Sequence, residues 1–188
     1  MGTSADFSLS EATAGLARAP AIFDVLLRGL PSAQTRANEG DRDGKPTWSP
    51  FDIMGHLVFV ERNDWMVRVR RILEHGEARS FDPVDRFAQR KQLQDSSLEQ
   101  LLDDFARLRA ENLVTLQALT LTPEDLARKG THPALGTVTL EQLIATWATH
   151  DLTHLHQLTR VLAYRYSDAV GPWTEYLGVL HCNGHSRP

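Results

Sequence analysis

The chain has 188 residues, 41% of them hydrophobic, with a formal net charge of −4 and an isoelectric point near 6.0. That size suits one domain with one sizeable core, and the acidic balance argues against a general nucleic-acid surface. One cysteine leaves no internal disulfide, no apolar run is long enough to span a bilayer, and the first residues lack a signal-like apolar core, so the sequence reads as cytoplasmic.

Four long amphipathic segments predict an all-α four-helix bundle. The first helix is expected from about Ser10 to Arg28, with Ile22, Phe23, Leu26, Leu27 and Leu30 on its apolar side and Pro20 either kinking it or marking its start. Pro31 to Thr47 reads as a polar loop. The segment Trp48-Ser49-Pro50-Phe51-Asp52-Ile53 is a strong helix start: Ser49 caps, Pro50 suits the first helical position, and Asp52 meets the positive end of the helix dipole. Trp48 and Ile53 flank that cap at staple spacing. This second helix is predicted from Pro50 to about Glu74, closing near Gly76, with Ile53, His56, Leu57, Val60, Asp64 and Val67 along one face. The dense basic cluster within it, Arg68-Val69-Arg70-Arg71, reads as a solvated face.

Glu77 to Asp95 forms a long connection, partly helical around Arg86 to Leu93, and its length permits a crossover. Ser96 with Glu99 reads as a capping box opening the third helix, whose inner face is Leu98, Leu101, Leu102, Phe105, Leu108, Asn112 and Leu116. Thr122-Pro123-Glu124-Asp125 starts a short helical turn. His132 to Thr139 is a turn region whose one strand signal is Gly136 to Val138, and the fourth helix covers Thr139 to about Tyr164. A single domain over residues 1–188 is expected, with its core at about 9–180 and a tail at 181–188.

The fourth helix carries His150-Asp151-Leu152-Thr153-His154-Leu155-His156-Gln157. His150 and His154 stand one turn apart on one face, with Gln157 on the next turn, and they continue the stripe of Leu140, Leu143, Ile144, Trp147, Leu158, Val161 and Leu162. Two buried imidazoles must be satisfied, by hydrogen bonds within the core or by an ion to which each gives one lone pair. His156 lies about 200° around the helix from His154 and cannot join the same ion. His56, core-facing about two turns into the second helix, is the natural third ligand. His75 sits at a helix end. His132 belongs to a turn and could approach the open side of the site. His181 and His185 lie with Cys182 in a polar tail.

Through these residues the chain resembles the DinB-like (damage-inducible) four-helix bundle family over most of its length. The resemblance is carried by Trp48-Ser49-Pro50 with Gly55-His56-Leu57, by His132-Pro133-Ala134-Leu135-Gly136 with Val138-Thr139-Leu140, and by the His150 to Gln157 block. Gly171-Pro172-Trp173 with Tyr176-Leu177 is similar to the family's C-terminal tail. The family pattern of one early histidine plus H-x3-H-x2-Q implies metal-ligand roles for His56, His150 and His154, a divalent ion such as zinc or nickel, and homodimers. Its members include thiol-dependent transferases and an isomerase using mycothiol, so the resemblance leaves the reaction open.

Three neutral imidazoles would leave an ion with an open position, able to acidify a water or small thiol or to polarise a carbonyl. The helix differs from an H-E-x-x-H protease helix, because Asp151 stands where the glutamate base would be. Gln157 is the candidate orienting group, Asp151 faces a neighbouring helix, and Asp64 lies too far along to reach the ion. Trp147 and Phe59 could line a pocket. The reading is a divalent-metal-binding protein acting as a thiol transferase on small electrophiles, with a low-molecular-weight thiol as cosubstrate. The alternatives are a non-catalytic metal-binding bundle and a metal-dependent hydrolase. The expected partners are a second copy and a small-molecule substrate, with no nucleic acid and no membrane.

Overall fold

The computed structural model describes residues 6–42, 45–83 and 96–181. Helix α1 (Leu9–Leu27) starts on the Ser8 cap and buries Leu16, Ala19, Phe23 and Leu27 at three-and-four spacing. Ile22 is instead 41% exposed, so the buried stripe differs from the predicted one. Pro20 lies inside the helix and is not its start. A proline has no N–H for the carbonyl four residues back, and that carbonyl, on Leu16, accepts a 2.8 Å bond from Arg109 Nη1.

The expected polar loop contains a helical turn, α2 (Ser32–Thr35), and a minimal hairpin of β1 (Asp41–Arg42) with β2 (Lys45–Pro46). Helix α3 (Pro50–Asn63) opens as predicted, with Ser49 and Asp52 forming a reciprocal capping box. The predicted single second helix is two helices: α3 ends at Asn63, and α4 (Trp65–His75) follows after Asp64. The Asn63 side-chain amide donates to the Phe59 carbonyl at 2.9 Å, a local bond that competes with the helical ladder. Beyond the break Trp65, Met66, Val69 and Ile72 turn inward, while Val67 is 42% exposed.

Of the basic cluster on α4, Arg70 alone is exposed as a solvated face would be. Arg71 is buried against Asp82 and the Ser80 carbonyl, and Arg68 pairs with Asp64 at 2.7 Å and lies over the Phe81 ring. Gly76 caps α4 and leads into a 3-10 turn, Gly76–Ala78. The helix expected around Arg86 to Leu93 lies outside the described residues.

Helix α5 (Leu98–Ala118) begins one residue later than predicted, because Ser97 and Gln100 make the capping box that Ser96 and Glu99 matched equally well in sequence. Helix α6 (Pro123–Leu126) follows the Thr122 cap. The turn region before the last helix is a second hairpin, β3 (Lys129–His132) against β4 (Gly136–Thr139), so the mostly helical fold carries two small antiparallel ladders. Helix α7 (Leu140–Tyr164) starts on a Thr139–Gln142 capping box, and 3-10 turns at Gly171–Tyr176 and Gly178–Leu180 close the described chain.

In the main packing contacts α1 lies against α5 and α7, and α3 lies against the same two. The consecutive long helices α1 and α3 therefore occupy opposite corners of the bundle, as do α5 and α7. The apolar core falls into two clusters. One gathers Phe59, Trp65, Ile72, Leu116, Leu140 and Trp147; the other gathers Phe23, Ile53, Leu57, Phe105 and Leu158. Between them along the helices lie buried polar residues: Glu61 on α3, Arg109 on α5, and Asp151, His154 and Gln157 on α7. No described helix is long and apolar enough to cross a membrane.

Candidate metal centre

The α3 and α7 helices bring His56, His150 and His154 together, with their ligand atoms all within 4.8 Å of one another. His150 Nε2 lies 3.1 Å from His56 Nε2 and 3.1 Å from His154 Nε2. A ring nitrogen offers either one N–H or one lone pair, so a single linear hydrogen bond satisfies only one of those two contacts. A shared cation satisfies both. Two nitrogens at about 2.0–2.1 Å from one ion are about 2.8–3.4 Å apart between octahedral and tetrahedral angles, so both 3.1 Å separations at His150 suit a shared metal, while the third pair lies within 4.8 Å.

The surroundings fix the rings. His154 is fully buried, and its Nδ1 stands 2.9 Å from Gln157 Oε1, an acceptor. With the amide oriented in this way Nδ1 carries the proton, and Nε2 presents its lone pair to the cluster. Trp48 stacks on His154 at 5.9 Å between centroids with 8° between planes, and Trp65 meets His150 edge-on at 5.1 Å. His56 and His150 are half-buried, so the cluster opens on their side and is floored by His154. His150 Nδ1 has no hydrogen-bond partner among the described residues.

Burial, then the neighbouring His154 and His56, pushes the His150 pKa down to about 2. Burial and His56 bring His154 down to about 3, against the opposing hydrogen bond to Gln157. Both rings are thus neutral near pH 7, the form in which an imidazole can offer a lone pair to a metal.

Gln157 therefore orients a histidine ring. Asp151 points away from the cluster and binds Arg109 at 2.6 and 3.0 Å. Asp64 pairs with Arg68. Trp147 and Phe59 are core residues, and the Trp147 indole N–H donates to Glu61 Oε1 at 2.8 Å. His156 is outside the cluster, as is His132, whose Nδ1 accepts from the Ala134 and Leu135 amides. His75 is exposed beside Glu74, and His181 bonds the Thr174 carbonyl. Cys182 and His185 lie outside the described residues.

Sequence reasoning missed Glu61, Arg109 and the packing role of Trp65. The signal for Arg109 was present: it lies four residues after Phe105 and continues the stripe of Leu98, Leu101, Leu102 and Phe105.

Fold and site together define a helical bundle with an inward-facing trihistidine cluster. The DinB superfamily model matches residues 16–158, and the chain belongs to that superfamily. Among solved structures it is similar to YfiT from Bacillus subtilis, described as a probable metal-dependent hydrolase with an unusual four-helix bundle topology. The match has a TM-score of 0.71 at 20% identity and covers 89% of this chain and 94% of that one. No curated protein matches.

Proposed function

We propose that His56, His150 and His154 hold one divalent ion, zinc or nickel, and that the protein uses it to transfer a low-molecular-weight thiol to a small electrophile. The observation carrying the metal reading is His150 Nε2 at 3.1 Å from two other ring nitrogens. When bound, the ion would supply Lewis acidity at a position left open by three neutral protein ligands. A structural zinc site closes with four protein ligands, whereas the cluster among the described residues has three, which supports an accessible centre. Gln157 holds the His154 ring, and Trp48 and Trp65 shield two of the imidazoles from water. The thiol is supported by family resemblance alone.

The similarity to YfiT, a probable metal-dependent hydrolase, supports a second reading, metal-dependent hydrolysis. Metal content is measured first, on protein purified without an affinity tag. Conjugation of a chlorobimane with several small thiols then compares metal-loaded protein with His150→Ala, beside a panel of esters and amides without thiol. Metal-dependent conjugation supports the transferase, and metal-dependent hydrolysis supports the second reading. Equal rates for both proteins on every substrate would leave a non-catalytic metal-binding bundle. We further propose a cytoplasmic homodimer with no nucleic-acid or membrane partner, in keeping with the family's habit and the chain's acidic charge.

A further inference from the structure

A second buried polar assembly lies beside the histidine cluster. It is centred on Arg109, whose guanidinium lies at the middle of the bundle, 1% exposed. From α5 this one group reaches the other three long helices. It donates to Leu16 O on α1 at 2.8 Å, to Glu61 Oε1 on α3 at 2.7 Å, and to both Asp151 oxygens on α7 at 2.6 and 3.0 Å. The Leu16 carbonyl is available because Pro20 has no N–H to give it. Glu61 is completed by the Trp147 indole N–H at 2.8 Å and by the Asn112 amide at 2.9 Å.

The position of this assembly in the chain is its most telling property. Glu61 follows His56 by five residues on α3, while Asp151 directly follows His150, and Trp147 precedes it by one turn, on α7. The Trp147–Glu61 bond and the Arg109 bridge therefore link α3 to α7 beside the ligands those helices must bring together. A buried ion network is a weak source of net stability, since well-packed apolar side chains of similar volume serve as well or better. Directional bonds do what apolar packing does less well: they fix one axial register between two helices. A sliding error of one ångström would separate His56 Nε2 from His150 Nε2, whose 3.1 Å approach the ion requires.

We propose that Arg109, Glu61, Asp151 and Trp147 form a positioning frame for the trihistidine centre, setting the register of α3 against α7 so that His56 meets His150 and His154. This rests on the metal reading above. Trp147→Phe removes one donor and keeps an aromatic ring, smaller than the indole, and Glu61→Gln removes the charge and keeps the shape. Folding is checked by far-UV circular dichroism, and cobalt(II) affinity is measured by chelator competition on the folded proteins together with the visible spectrum of the bound ion.

If the frame positions the ligands, both variants stay helical, bind cobalt about tenfold or more weakly, and show an altered ligand-field spectrum. Glu61→Gln, which retains an acceptor for Trp147, should lose less than Glu61→Ala. Wild-type affinity and spectrum in the folded variants would overturn the proposal, as would a loss of stability with binding intact. If either variant fails to fold, the triple replacement Glu61→Leu, Arg109→Met, Asp151→Leu decides: a stable bundle with unimpaired cobalt binding overturns the frame. Failure of the wild-type protein to bind cobalt would instead overturn the metal reading itself.

Discussion

His150 and His154 carry a cost in acid. Each has its pKa lowered from 6.5, to about 2 and about 3, chiefly by burial. The unfolded chain binds those protons more readily than the folded one, so stability is complete above pH 6.5 and drains as pH falls towards the folded values. For metal-free protein the two rings together contribute a slope of up to about 2.7 kcal/mol per pH unit in that window. The raised carboxyl of Asp151, held up by burial against the pull of Arg109, works in the opposite sense and reduces the net slope. Urea unfolding of metal-free protein should show stability falling from pH 6.5 to pH 5, with a shallower fall in His150→Ala. A flat profile would contradict the burial argument. At the same scale, alanine at His56, His150 or His154 should strip metal from the purified protein, while His156→Ala should keep it. Elemental analysis reads this directly, and retention in any one ligand variant would remove that residue from the set.

The elements that hold the site are fixed at their ends and at their closest packing. Ser49 is buried and accepts from the Asp52 amide, while the Asp52 carboxylate accepts from the Ser49 amide, so α3 starts at one defined residue and places His56 two turns in. Ser49→Ala should cost about 1 kcal/mol, which thermal denaturation would read as a Tm lower by about 2–4 °C. The β3–β4 hairpin packs against α4 through Gly130, where a Cβ would stand 2.7 Å from Ile72 Cγ1 and 3.3 Å from Phe81 Cζ. Ile72 is wholly buried and has little room to shift. Gly130→Ala should therefore destabilise the fold by about 1–3 kcal/mol through overpacking. A midpoint in denaturant equal to wild type would show that the hairpin can move away from α4.

For the whole molecule, the surface that stands out is the C-terminal segment, where Trp173 is 70% exposed and Tyr176 82% exposed. An aromatic pair of that exposure suits a contact between chains, and closed twofold dimers are the commonest assemblies. Light scattering at micromolar concentration should give twice the 21.1 kDa chain mass, and Trp173→Ala with Tyr176→Ala should lower it. A monomer mass across a dilution series would show that the segment serves its own bundle alone.

Periodicity and capping chemistry are local, and they were legible residue by residue. The Ser49–Asp52 start, the Thr139 boundary and the stripe from Leu140 to Val161 all lie within reach of a few turns of chain. So was the convergence of His150, His154 and Gln157, because one helix fixes their spacing, and His56 followed from its core-facing place on another. The break at Asp64 was not legible, since both halves carry good helix formers and the competing Asn63 bond is small. Nor was the fate of Arg71, whose partners Ser80 and Asp82 are supplied by residues 80–82 folding back on the helix, or the Phe81 ring that Arg68 overlies. The Arg109 centre was the least accessible: a lone charged residue on an apolar stripe reads as an irregularity until Leu16, Glu61 and Asp151 arrive from three other helices. Sequence by itself determined the helices and the three candidate ligands, because backbone geometry over one or two turns sets both. Only the tertiary structure decided which helices sit at opposite corners and what lies between them, because those contacts join residues 42 to 93 positions apart.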